Sequence, residues 1–137
     1  MEKALRVKQV PAEALVDILA ALEREKTDTS AGAMTAEEAC GPHADGYIVQ
    51  DAEGRNVAAY LLTFQNCAKK RVCWVNGAYG RAPGHDLTAE VMPIVEKQAR
   101  EGGAHQIAVM TKRMGLAKKI CADGFQETGR IYRKNLQ

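Results

Sequence analysis

The sequence lacks the features that mark several classes of protein. No apolar run approaches the roughly 20 residues that a membrane-spanning helix needs, and residues 1–16 lack the basic, apolar and small-residue zones of a signal peptide. Internal repeats and low-complexity tracts are absent, and the net charge of +2 is too small to indicate binding to nucleic acid. We therefore expect a cytoplasmic protein whose partners are neither membranes nor nucleic acids.

Composition indicates an ordinary globular protein. The chain has 137 residues, of which 46% are hydrophobic and 26% charged, so we expect a single domain over residues 1–137. None of the four cysteines belongs to a CxxC pair, which favours reduced, mostly buried thiols, Cys121 among them. We expect no metal. The alternative is a zinc site built from Cys40, His43, Cys67 and Cys73, whose spacing is unlike that of zinc ligands.

Hydrophobic patterning and turn residues divide the chain into ten elements. They are a strand at 3–10, a helix at 11–25, a short helix at 36–40, strands at 46–51, 56–65 and 71–79, a helix from 87 to about 101, a strand at 105–111, a helix near 116–121 and an extended segment at 125–136. The order β-α-α-β-β-β-α-β-α-β predicts an α/β fold: a mixed, largely antiparallel sheet of six to seven strands with helices on both faces.

Three local signals support this assignment. Thr35 followed by Glu38 is a capping box that predicts the start of the short helix. Residues 51–55 predict a tight hairpin in which Gly54 takes a positive φ. The strand at 56–65 is apolar on both faces, as in a sheet covered on both sides.

A glycine-bearing loop leads directly into the long helix, and the N–H groups and dipole of a helix N-terminus attract anions. In this position the turn Arg81-Ala82-Pro83-Gly84-His85-Asp86 resembles the pyrophosphate-binding turn of the GNAT (GCN5-related) acyltransferases, whose pattern is Arg/Gln-x-x-Gly-x-Gly/Ala. Arg81 and Gly84 match that pattern. The resemblance extends over nearly the whole chain and implies a GNAT-like fold that transfers an acyl group from acetyl-CoA or another acyl-CoA to a primary amine of a small molecule or a protein.

The resemblance also implies where the cofactor lies. The pyrophosphate would contact Arg81, Ala82, Gly84, His85 and Asp86, and the pantetheine arm would follow the preceding strand at Trp74, Val75 and Asn76. Two departures make the motif degenerate. Asp86 replaces a small residue and, when ionised, repels phosphate; its alternative role is that of a helix N-cap. Pro83 removes one N–H donor. Together they predict an eroded active site.

The sequence does not assign the catalytic acid or base. The family places a tyrosine acid in its last helix, and alignment puts Ile120 there or, one place further on, Cys121. The strand at 71–79 has no carboxylate that could act as a base, and the histidines nearest to the expected cleft are His43 and His85.

Two runs, WVNGAYGRAPGHDLTAEVMP and TKRMGLAKKICADGF, resemble small GNAT-type proteins of tailed bacteriophages and prophages. They support an alternative function, a non-catalytic structural or assembly component of a phage particle. Its partners would be phage structural proteins or further copies of the chain, and its location the host cytoplasm or the virion.

Overall fold

The computed structural model describes residues 4–20 and 34–136. Five strands, four α-helices and one 3-10 helix follow one another along these residues. In chain order they are β1 (Arg6–Val10), a 3-10 helix (Ala12–Leu15), α1 (Val16–Leu19), α2 (Ala36–Ala39), β2 (Asp45–Gln50), β3 (Asn56–Asn66), β4 (Arg71–Gly80), α3 (Leu87–Glu101), β5 (Gln106–Val109) and α4 (Met114–Ala122).

The five strands form one sheet in the order β1-β2-β3-β4-β5. Neighbouring strands are antiparallel from β1 to β4. Short turns join β2 to β3 and β3 to β4, whereas the 3-10 helix, α1 and α2 lie between β1 and β2. β5 is parallel to β4 because α3 crosses over between them. The predicted α/β fold with a mixed, largely antiparallel sheet is confirmed.

Helices cover both faces of the sheet and explain why the middle of β3, from Val57 to Leu62, is apolar on both sides. On one face, called face A here, Ile48, Ala59 and Leu61 pack against the 3-10 helix, α1 and α2. On the opposite face, face B, Tyr60 and Leu62 pack against α3. Consecutive residues of a strand point to opposite faces, so the run of buried residues in β3 serves two cores at once.

The 3-10 helix lies directly on the sheet because β2 carries a glycine there. Gly46 pairs with Val10 on one side and Leu61 on the other. A Cβ at position 46 would lie 2.9 Å from both the Ala12 Cα and the Val10 carbonyl oxygen. The close approach brings Leu15, which is fully buried, into the face A core.

The structure corrects the predicted strand count. The sheet has five strands rather than six to seven, because residues 125–136 belong to no strand within the described part of the chain. Their sequence is compatible with a strand, but a strand also needs a partner edge, which local patterning cannot supply.

The predicted helix at 11–25 is shorter over the described residues, where α1 ends at Leu19, and its remainder from residue 21 lies outside them. Over those same described ranges, no helix is both long and apolar enough to cross a membrane.

The cysteines divide into two classes, which corrects the expectation for Cys121. Cys40 and Cys73 are buried, whereas Cys67 and Cys121 are exposed. Cys121 is exposed because Ile120 is the buried residue at that end of α4.

Among the described residues no group of three His, Cys, Asp or Glu side chains is arranged to hold a metal ion, so the zinc alternative finds no support there.

We predict that thiol reagents distinguish these two classes. Burial raises the pKa of Cys73 to about 11, and burial together with Glu13 raises the pKa of Cys40. Since the thiolate is the nucleophile, Cys67 and Cys121 should react rapidly at about pH 8 and the other two only after denaturation. Counting thiols with a chromogenic disulfide, with and without denaturant, checks this. Four equally fast thiols in the folded protein would contradict it.

Candidate functional site

β4 continues beyond the end of its pairing with β5. Residues 72–75 of β4 pair with residues 106–109 of β5, and beyond Val75 β4 pairs only with β3 among the described residues. We call the space between the two strands beyond Val75 and Val109 the gap. Along the gap, the side of β4 that faces away from β3 has no strand partner in the described part of the chain.

A β-bulge lies where the gap begins. Leu61 pairs with Gly77 and Leu62 with Val75, so Asn76 is an extra residue in β4. A bulge bends its strand and increases the local twist, and this bulge lies directly after the last pair between β4 and β5.

The residues around the bulge are held in fixed orientations. The Asn76 side-chain amide donates a hydrogen bond to the Thr63 hydroxyl, and Trp74 Nε1 donates to Gln65 Oε1 over 3.0 Å. Trp74 pairs with Thr63 and shares face A with Asn76, whereas Val75 packs into the face B core beside Leu62. Thr63 and Gln65 were not singled out from the sequence, because their role depends on strand register.

Arg71 ties several elements together at the end of the β4–β5 pairing that is farther from the gap. Its side chain donates to the Gly102 carbonyl over 2.9 Å and to Asn66 Oδ1 over 2.7 Å, and it lies over the Phe64 ring at 4.8 Å. His105 N–H donates to the Arg71 carbonyl over 2.8 Å. The start of β4, the end of α3 and the start of β5 are thereby connected through one residue.

The turn between β4 and α3 has a geometry that its sequence dictates. The N–H of His85 donates to the Ala82 carbonyl over 3.0 Å, and Gly84 has φ of +84°. Proline in the second position and a positive-φ glycine in the third are the signature of a type II turn. Gly80 just before the turn permits close packing, since a Cβ there would overlap Ala58 and Leu87.

Some N–H groups of the turn are already committed to other atoms. The Arg81 N–H donates to the Val57 carbonyl over 2.8 Å, while its side chain is exposed. Ala82 is buried, and Pro83 has no N–H. The five predicted contact residues lie together on the turn, but they do not form the continuous row of donors that a phosphate cradle would present. They are Arg81, Ala82, Gly84, His85 and Asp86.

Asp86 occupies the N-terminus of α3. Its carboxylate accepts the Ala89 N–H over 3.2 Å, and Lys119 Nζ of α4 lies 3.4 Å from the same oxygen. The capping hydrogen bond, assisted by Lys119, holds the pKa of the Asp86 carboxyl below its usual range. The group is thus ionised at neutral pH and adds negative charge at the helix end. Lys119 and Asp86 are 33 residues apart in the sequence, so no local pattern could predict their contact.

The candidate acids and bases are only partly placed near the gap. His85 Nδ1 lies 3.0 and 3.1 Å from the two carboxylate oxygens of Glu90 in the first turn of α3, so its ring is already engaged. His43 lies elsewhere, in the turn that precedes β2. Ile120 is buried and has no proton to give, and Cys121 is exposed.

An open pocket lies on the β1–β2 side of the sheet. Residues 9–13, residues 41 and 42, and residues 44–46 line it, and its carboxylates are Glu13 and Asp45. Strand pairing connects Val10, Gly46, Leu61 and Gly77 in one row across the sheet. The pocket therefore lies level with the bulge, two strands away from it.

Solved structures share this architecture. No protein-family model matches the sequence, and no curated protein sequence matches it. The aminoglycoside N-acetyltransferase AAC(6')-Iy, solved in complex with CoA, is 16% identical with a TM-score of 0.65, and the alignment covers 99% of this chain and 98% of that one. Glucosamine-6-phosphate N-acetyltransferase from Arabidopsis thaliana is 10% identical with a TM-score of 0.66, covering 98% and 99%.

A third similar structure carries a different description. A transcriptional regulator from Bacillus halodurans C-125 is 12% identical with a TM-score of 0.70, covering 96% of this chain and 99% of that one. At these identities the shared property is the fold. With its mixed five-stranded sheet, the open edge of β4 and the turn that follows that strand, this chain has the fold of the GNAT acetyltransferases.

Proposed function

We propose that this chain is an N-acyltransferase that transfers an acyl group, acetyl in the simplest case, from an acyl-CoA to a primary amine. The observation that carries the proposal is the open edge of β4 at residues 76–80, between the end of its pairing with β5 and the turn at residues 81–86. A similar structure was solved with CoA bound. Another is described as an acetyltransferase of an amino sugar phosphate.

The residues of the gap fit one part of the substrate well. Pantetheine carries two amides, and the backbone edge of β4 that is open from Asn76 to Gly80 offers N–H and C=O groups for an extended, amide-bearing arm. Trp74 and Val75, the other two residues expected along this arm, are paired with β5 and flank the open edge. The bulge gives Asn76 backbone groups an orientation that regular strand pairing would not.

The turn fits the pyrophosphate less well, which is the basis for proposing an eroded site. The Arg81 guanidinium is exposed, Gly84 has no side chain to exclude a phosphate, and His85 is half-buried next to them. The Asp86 carboxylate lies at the helix end that would face the phosphates and opposes their charge. We therefore expect acyl-CoA to bind weakly, mainly through its pantetheine arm.

The chemistry proposed for this site needs little from side chains. An uncharged amine nitrogen attacks the thioester carbonyl carbon, the C–S bond breaks, the sulfur leaves as thiolate, and the amine proton passes to water. Holding the two reactants in the correct orientation by itself lowers the barrier by several kcal/mol. The acceptor amine would approach over face A, where Glu13 of the open pocket carries a negative charge that attracts an ammonium group.

The single tryptophan gives a direct test of acyl-CoA binding. Trp74 lies at the gap and is the only tryptophan of the chain, so titration with acetyl-CoA should change its fluorescence with saturation at submillimolar to millimolar ligand. Calorimetry under the same conditions should record heat. A protein that gives neither signal at millimolar acetyl-CoA would overturn the proposal.

A matched pair of variants locates the phosphates. Arg81→Ala removes a cation at the turn and should weaken acetyl-CoA binding several-fold. Arg130→Ala removes an exposed arginine that pairs with Glu127 outside the site and should leave binding unchanged. Equal effects of the two substitutions would contradict the assignment of Arg81.

The structural role in a phage particle stays a prediction, since no contact of the described residues favours it.

A further inference from the structure

His85 is held in a fixed orientation on the turn between β4 and α3. Its backbone N–H donates to the Ala82 carbonyl over 3.0 Å, and its ring Nδ1 lies 3.0 and 3.1 Å from the two carboxylate oxygens of Glu90. The side chain is only 21% exposed. A ring that is held both at its backbone and at Nδ1 has little freedom to turn, so its other nitrogen, Nε2, keeps a constant place on the turn.

The contact with Glu90 decides which ring nitrogen of His85 carries a hydrogen. An ionised carboxylate only accepts hydrogen bonds, so Nδ1 is the donor. In the neutral imidazole, Nε2 is then an acceptor, whose lone pair repels the oxygens of a phosphate. In the imidazolium, Nε2 also carries a hydrogen and becomes a donor. Protonation of His85 therefore changes Nε2 from an acceptor to a donor.

Nε2 of His85 is available to a ligand. Within the described ranges of the chain, it makes no hydrogen bond to the protein. In the same ranges, no side-chain nitrogen or oxygen atom that is shut off from solvent lacks a hydrogen-bond partner. Nε2, which has no partner, is consequently in contact with solvent at the surface of the turn.

The backbone of the turn supplies few donors to a phosphate. Pro83 has no N–H, and the N–H groups of Arg81 and His85 donate to the carbonyl groups of Val57 and Ala82. A charged side-chain donor on this turn would therefore add substantially to the binding of an anion. The Nε2–H group of a protonated His85 is such a donor.

We propose that His85 binds the pyrophosphate of acyl-CoA as the imidazolium, so that acyl-CoA binding takes up a proton, and that Glu90 is the positioning residue that holds the ring for this contact. The inference rests on the proposed function, because it concerns the same turn and the same ligand. It adds a second binding partner for the phosphates beside Arg81, one whose charge depends on pH.

The charges near His85 determine the direction of the pH dependence. Glu90, which contacts the ring, and Asp86, the next residue, are acidic, whereas Arg81 of the turn and Lys119 of α4, 3.4 Å from Asp86, are basic. A bound pyrophosphate adds negative charge to this balanced set and favours the imidazolium. By linkage, protonation favours ligand binding to the same extent. Since histidine ordinarily titrates near pH 6.5, the affinity should rise roughly three- to tenfold as the pH falls from about 8 to 6.

Calorimetry with acetyl-CoA measures the proton uptake. Titrations at about pH 7 in buffers of low and high ionisation enthalpy give the number of protons taken up per ligand bound. The 3′-phosphate of acetyl-CoA itself titrates near pH 6, so the quantity of interest is the difference between the parent and His85→Gln, which cannot be protonated. The parent should take up a fraction of a proton more than the variant, and the two affinities should converge at about pH 8.

The outcomes separate this inference from the proposed function. Equal proton uptake by the parent and His85→Gln, or an equal rise in their affinities towards acid, would overturn the role of His85 while acyl-CoA binding stands. Absence of binding heat from the parent at millimolar acetyl-CoA would overturn the proposed function and this inference with it.

A further pair of variants tests the role of Glu90, with Trp74 fluorescence titrations of acetyl-CoA at several pH values as the readout. Glu90→Gln keeps a side-chain oxygen that accepts from Nδ1 but removes the negative charge that favours the imidazolium, so the rise in affinity should move to lower pH. Glu101→Gln removes a carboxylate that pairs with Lys97 at the other end of α3 and should keep the profile of the parent. Identical profiles for both variants and the parent would overturn the role of Glu90.

Discussion

Leu61→Ala should lower the free energy of unfolding by about 2–5 kcal/mol, the cost of a large-to-small change in a packed core. Leu61 is completely buried in β3, the central strand, and belongs to the face A core with Leu15 and Leu19. The 3-10 helix is held so close to β2 at Gly46 that it cannot move in to fill a cavity without a backbone clash. We therefore expect the loss to fall in the upper half of that range.

Urea denaturation followed by circular dichroism measures this loss, with Leu61→Met as the volume-conserving control, which should cost less than about 1.5 kcal/mol. Since small domains are stable by only about 5–15 kcal/mol, the alanine variant should unfold at a clearly lower urea concentration. Equal transition midpoints for the two variants would show that the site is not tightly packed.

Asp86→Asn should strengthen acetyl-CoA binding by roughly three- to tenfold, because it removes a negative charge from the helix end nearest to the phosphates. Asparagine caps a helix about as well as aspartate, so the hydrogen bond from the Ala89 N–H is retained. The substitution also releases Lys119 from its ion pair with the carboxylate, 3.4 Å away, and leaves a cation beside the turn.

Trp74 fluorescence titration with acetyl-CoA at low and high salt measures the change, which salt should diminish. Asp86→Ala is the matched comparison: it also removes the charge but loses the cap, so its thermal midpoint should fall while that of Asp86→Asn is retained. Because the pKa of Asp86 is lowered, its carboxylate loses charge only in acid, below its ordinary pKa of about 4. The affinity of the parent protein should consequently show no step from Asp86 at neutral pH. Weaker binding by Asp86→Asn would contradict the repulsive role assigned to this residue.

Features determined within a few residues of sequence were predictable. The Thr35 hydroxyl accepts the Glu38 N–H over 3.2 Å at the start of α2, as the capping box predicts. In the hairpin at residues 51–55, Gly54 has φ of +80°, and the Asp51 carboxylate binds Arg55 at 2.7 Å. The two-sided apolar pattern of β3 predicted helices on both faces, because burial on both sides leaves no polar position in a strand.

Features that depend on distant parts of the chain were not predictable from these patterns. The pairing of Asp86 with Lys119 needs α4 to lie beside the start of α3, and the hydrogen bond from Tyr60 to Gln98, 2.6 Å long, needs the exact placement of α3 on the sheet. The exposure of Cys121 depends on which side of a short helix is covered. Whether residues 125–136 form a strand depends on whether another strand offers them a free edge. The sequence of the segment itself does not specify such a partner.

Arg71 ties the crossover helix to the sheet at the opposite end of β4 from the open edge. Its side chain binds the Gly102 carbonyl at the end of α3 and Asn66 at the end of β3. Loss of that side chain would release the ends of α3 and β3 together, so the placement of the long helix on the sheet depends on a single arginine.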